Sequence, residues 1–149
     1  MRALRWAGAV IVVIAVALQL VPYGRRHTNP SGREEPPWDT ASTRALAVRA
    51  CYDCHSNETV WPWYSHVAPM SWLLQRDVDE GRRKLNFSEW GRPRKEARES
   101  AKAVQKGEMP PWYYIPLHPD ARLTAAETRA LVTGLQATLG AKGAKGRDD

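Results

Sequence analysis

No feature of this 149-residue chain restricts its fold as much as the five residues Cys51-Tyr52-Asp53-Cys54-His55. Two cysteines two residues apart, followed at once by histidine, form the attachment pattern of a c-type haem. The spacing has a chemical reason. Each thiol adds to one vinyl group of the porphyrin, and the histidine directly after the second cysteine is held beneath the ring, where its imidazole can ligate iron. Cys51 and Cys54 are thus the expected tethers of one covalent haem c, and His55 the expected proximal ligand. The chain has only these two cysteines, so none is left for another use.

Competing uses of the pair fit less well. A thiol-disulfide redox centre expects a strand-helix-strand setting, and no strand-like segment precedes Cys51. A structural zinc site needs two more ligands at compact spacing, whereas His27, His66 and His118 are scattered. A disulfide across two residues closes too little chain to stabilise much.

Residues 1–21 read as a targeting segment. Arg2 and Arg5 precede an apolar run from Trp6 to Val21 broken only by Gln19. The run is at the short end of what spans a bilayer. An uncleaved transmembrane anchor is the expectation, preferred over a signal cut after Ala15-Val16-Ala17, because that cut strands apolar residues on the mature end. Covalent haem attachment takes place outside the energy-conserving membrane, so the expected placement is a single-pass inner-membrane protein with its haem domain facing the periplasm. Residues 22–38, rich in proline, read as a semi-extended tether that gives reach or lies over the domain surface.

The body, 39–140, reads as all-α. Asp39 or Thr40 caps a helix through Ala45, Leu46, Val48 and Ala50 that delivers Cys51. Trp61, Trp63, Tyr64 and Trp72 then form an aromatic cluster suited to both core and haem pocket. A helix over 70–85 turns Leu73, Leu74, Val78 and Leu85 inward. A shorter one over 96–106, with Glu96, Arg98, Glu99 and Lys102, reads as exposed. Thr124-Ala125-Ala126-Glu127 is a capping box opening a helix that Gly140 ends. Gly134 within it calls for close approach of another helix, for which the helix before Cys51 is the natural partner. The tail, 141–149, reads as disordered.

Gly107-Glu108-Met109-Pro110-Pro111-Trp112 is the second informative stretch. Glycine ends a helix, and two prolines hold the chain in an extended loop, so Met109 is presented as a thioether. It is the expected distal ligand, since histidine and methionine are a known axial pair that raises the reduction potential. Met70 beside Pro69, and His66 or His118, are its rivals.

Together these motifs resemble a known family, the small membrane-anchored haem-binding domain proteins of bacteria, related in plan to single-haem class I cytochromes c. The resemblance is carried by Asn29-Pro30, the CxxCH motif with Ser56-Asn57, Trp61-Pro62-Trp63-Tyr64-Ser65, Ala68-Pro69-Met70-Ser71-Trp72, Leu85-Asn86-Phe87, Gly107 to Pro111, and His118 to Leu123. It implies an all-helical domain around one covalent haem.

The expected function is electron transfer, since no general base, nucleophile or carboxylate pair stands out. The alternative is a haem sensor or peroxidase-like protein with an open distal position, near which Tyr64 or His66 would stand. A formal net charge of +6 favours redox partner proteins with acidic docking surfaces, and in an exported protein it does not suggest nucleic acid.

Overall fold

The computed structural model describes residues 1–32, 34–91 and 95–140, apart from the side chains at 95, 96, 98 and 140. The expected disorder of 141–149 and the ion pairing of Glu96 and Arg98 lie outside the described residues. Among the described residues six α-helices follow one another: α1 Arg2–Leu18, α2 Ala41–Ala50, α3 Tyr52–His55, α4 Met70–Lys84, α5 Lys95–Gln105 and α6 Ala125–Gly140. Short 3-10 turns lie at Trp63–His66 and Pro119–Ala121. Among the described residues there is no strand, only an isolated parallel bridge between Glu34 and Glu89, so the all-helical expectation holds.

Leu131, Leu135 and Leu139 recur along one face of α6 and are buried against Ala97, Ala101 and Val104 of α5, with Ala47, Tyr52, Leu85 and Phe87 completing the core. Burying a leucine of this kind contributes roughly 1.5–3 kcal/mol. The charged sequence of α5 suggests an exposed helix, yet Ala97, Ala101 and Val104 form a stripe at helical spacing that packs on α6. Alanines bury little area each, but they allow the two helices to approach closely.

Helix α2 starts where Thr40 Oγ1 accepts from the Thr43 amide at 3.1 Å, satisfying one of the donors that a helix N-terminus leaves open. Its buried face is Thr43 and Ala47, while Val48 is exposed. The reason is the crossing with α6: a Cβ on Gly134 would overlap the Thr43 side chain. Gly134 therefore does admit the helix that leads into the haem motif. The capping box at the head of α6 is formed as expected, with Thr124 N donating to Glu127 Oε2 at 2.7 Å and Glu127 N to Thr124 Oγ1 at 3.2 Å.

The N-terminus requires a correction. Helix α1 has 17 residues, about 26 Å at 1.5 Å per residue, and its first turns carry Arg2 and Arg5. Among the described residues no helix is long and apolar enough to cross a membrane, whose hydrocarbon core is about 30 Å thick. The transmembrane helix expected within 1–21 is not found. With it goes the basis for the single-pass inner-membrane placement and its periplasmic orientation. Gln19, at the end of this helix, turns to the domain: its Nε2 donates to Ala68 O at 3.1 Å and its Oε1 accepts from Ala68 N at 3.0 Å.

The proline-rich segment that follows lies on the domain surface. His27 Nε2 meets Ser65 O, Asn29 Nδ2 donates to Thr59 O, and Gly32 O accepts from Asn57 Nδ2. Arg82 of α4 clamps it, donating to Thr28 O, Asn29 Oδ1, Ser56 O and Thr59 Oγ1 at 2.8–2.9 Å.

Candidate haem site

Cys51 ends α2, and α3 begins at the next residue, so the motif forms the corner between two helices. The His55 amide donates to Cys51 O at 2.9 Å, which winds the two cysteines and the histidine into one turn. Helix α4 lies directly against that turn. Gly81 makes the contact possible: a Cβ there would overlap the Cys54 carbonyl.

This contact orients the imidazole. His55 Nδ1 stands 3.1 Å from Gly81 O and 3.0 Å from Leu85 O. Carbonyls only accept, so Nδ1 carries the proton and Nε2 keeps its lone pair. A metal-binding histidine is usually prepared in this way. Burial holds the His55 pKa below its ordinary value, against the opposing pull of the Leu85 and Gly81 carbonyls, which keeps the ring neutral and able to ligate.

Both cysteines are free. Burial pushes each thiol up to about 12, with the carboxylates of Asp77 and Asp53 adding to the effect at Cys54. Reactive redox cysteines have the opposite property, a depressed pKa.

A cleft of about 250 Å³ opens beside Cys54. Trp61, Pro62 and Tyr64 form one part of its wall, Met70, Leu73, Leu74 and Val78 of α4 a second, and Tyr113, Tyr114, Leu117 and His118 a third. The lining is apolar and aromatic, as cofactor pockets generally are. The buried indole N–H of Trp61 has no hydrogen-bond partner, leaving a donor suited to an acidic group at the cleft. These residues fit a flat, apolar macrocycle with acidic substituents.

The expected site residues are not all gathered there. Cys54 lines the cleft and Met70 does also; Cys51, His55 and Met109 do not, and Met109 is 38% exposed. Gly107, at φ 72°, turns the chain just before Met109, so the thioether sits in a loop outside the core. His66 lies edge-on to His27 with ring centroids 4.4 Å apart and is not part of the cleft wall. His118 is in the wall, its Nε2 3.0 Å from Tyr64 Oη and its ring stacked on Tyr114 at 3.7 Å. Of the expected aromatic wall, Trp61 and Tyr64 take part, while Trp63 is 79% exposed and Trp72 lies outside the cleft lining.

Several residues that hold the site were given no structural role by the sequence reading. Asp53, inside the motif, accepts from Val60 N at 3.0 Å and from Tyr114 Oη. Asn57, Asn86 and Ser88 form a buried network through Asn86 Nδ2 to Asn57 Oδ1 and Asn57 N to Ser88 Oγ. The Phe87 amide donates to His55 O at 2.8 Å. The available signal was the cluster of polar residues beside the motif and beside Phe87, whose burial pairs them.

Helices packed around a CxxCH corner, with an oriented imidazole and an apolar cleft beside Cys54, define a cofactor-carrying domain. The family model described as haem-binding domain matches residues 13–137. The chain therefore belongs to the haem-binding domain family, and haem is its cofactor. No curated protein and no solved structure matches the chain.

Proposed function

We propose that this haem-binding protein is a monohaem c-type electron carrier, with Cys51 and Cys54 as covalent tethers, His55 as proximal iron ligand and Met109 as distal ligand. The observation that carries the reading is the orientation of His55, whose Nδ1 is engaged by two carbonyls while Nε2 stays available. The protonated, buried thiols support it, being unsuited to thiolate redox chemistry. When bound, the haem supplies a one-electron couple at iron. The chain does the rest: α4 fixes the imidazole, Leu73, Leu74 and Val78 exclude water, and a methionine thioether favours the reduced state. The partners are redox proteins, with acidic docking surfaces suited to the net charge of +6.

A second reading, an open distal position serving sensing or peroxide chemistry, draws on the placement of Met109 off the cleft wall, with Tyr64 and His118 within it. The absorption spectrum of the reduced protein before and after carbon monoxide separates the two. Electron transfer predicts an unchanged spectrum. In that case Met109→Ala lowers the reduction potential and admits the gas, while Met70→Ala does neither. Exchange of those two phenotypes makes Met70 the ligand, and gas binding by the unaltered protein moves the open-site reading to first place.

A further inference from the structure

The segment after Met109 crosses the cleft and is fastened at both sides. Tyr113 Oη donates to Asp77 Oδ2 of α4 at 3.2 Å. Tyr114, the next residue, donates to Asp53 Oδ2 within the haem motif. Four residues on, His118 Nδ1 meets Tyr114 O at 3.1 Å and the His118 ring stacks on Tyr114, so the second phenol and the imidazole move together. Tyr64 Oη reaches His118 Nε2 from the facing wall. The same segment supplies a whole side of the cleft, Tyr113, Tyr114, Leu117 and His118. A volume of about 250 Å³ is below the usual range of about 300–1,000 Å³ for ligand pockets.

The feature is not explained by core packing. Tyr113 and Leu117 are 42% and 57% exposed, so burial alone holds the strap weakly, and its position depends on the two phenol–carboxylate bonds. Gly107, at positive φ with open space around it, marks where the segment leaves α5.

We infer that Tyr113 and Tyr114 are positioning residues, latches on Asp77 and Asp53 that hold the 107–118 strap over the haem cleft and limit the access of small exogenous ligands to the iron. The inference rests on the c-type reading above. Access requires the strap to lift, and its rate follows the fraction of time the strap is open. Losing one hydrogen bond of ordinary net strength raises that fraction about fivefold.

The test uses the full-length, haem-loaded protein with imidazole as the probe of the ferric iron. Tyr113→Phe and Tyr114→Phe should each speed imidazole association about fivefold, and the double variant more. Backbone amides of 113–118 should exchange faster with solvent in step, and Tyr23→Phe, a half-exposed phenol elsewhere, should change nothing. Tyr113→Phe alters an exposed ring and leaves the core untouched, so that variant decides the matter even if Tyr114→Phe folds poorly. Association within twofold of the unaltered protein overturns the inference. So does faster exchange at 113–118 without faster association, since the strap would then move without gating. Failure of the c-type reading appears separately, as unaltered protein that releases its haem under denaturing electrophoresis.

Discussion

Gly81 and Gly107 illustrate how differently one residue type can matter. At Gly81 the limit is space, because α4 lies on the Cys54 carbonyl; at Gly107 it is backbone conformation, with open surroundings. Gly81→Ala should cost roughly 1–3 kcal/mol through overlap and should also disturb the imidazole, because the displaced carbonyls belong to Gly81 and Leu85. Gly107→Ala should cost about 1 kcal/mol through its positive φ and leave the haem spectrum as it was. Thermal unfolding together with the haem spectrum distinguishes the two. The motif could be read residue by residue, since the chemistry expected of it depends on order and spacing alone. The groups that orient His55 could not, because a backbone carbonyl has no sequence signature and becomes a partner only once α4 docks. Asp53 was passed over for a similar reason: a spacer residue acquires its role from Tyr114, 61 positions away.

Among the helices, α6 was read correctly down to its cap, and α5 was not. Leucines at helical spacing announce a buried face, whereas the alanines of α5 carry a signal that charged neighbours hide. In α2 the buried residues are Thr43 and Ala47, with Leu46 partly buried against the core, because Gly134 of α6 selects which side of α2 can come close. The head of α6 offers a test by pH. Glu127 is lowered to about 2, first by the Thr124 amide and then by Arg49 of α2, with which it pairs at 2.6 Å. A depressed carboxylate stabilises the fold fully above its unfolded value near 4.5, and that contribution is lost as pH falls through about 2. Glu127→Gln should therefore flatten the acid limb of stability measured by denaturant unfolding between those values. Thr124→Ala should cost about 1 kcal/mol at neutral pH.

At the scale of the whole molecule, the N-terminal quarter was the least legible part. An apolar run and a proline-rich stretch suggested an anchor and a tether that gives reach or lies over the domain, but the pairings that bind this quarter to the body depend on distant residues: Gln19 on Ala68, His27 on Ser65, and Asn29 and Thr28 on Arg82. Arg82→Gln should loosen the segment at a cost of roughly 1.5–3 kcal/mol for a charged donor, seen as faster tryptic cleavage at Arg25 and Arg26. These distant pairings also impose an order in time. The chain emerges from the ribosome N-terminus first, so Cys51, Cys54 and His55 exist before Gly81 and Leu85 can fix the imidazole, and before Tyr113 and Tyr114 can cross the cleft. During that interval the two thiols are as accessible as any in an unfolded peptide. On the proposed c-type reading, covalent capture of the haem belongs to the chain's youth, and the finished fold closes around a bond already made.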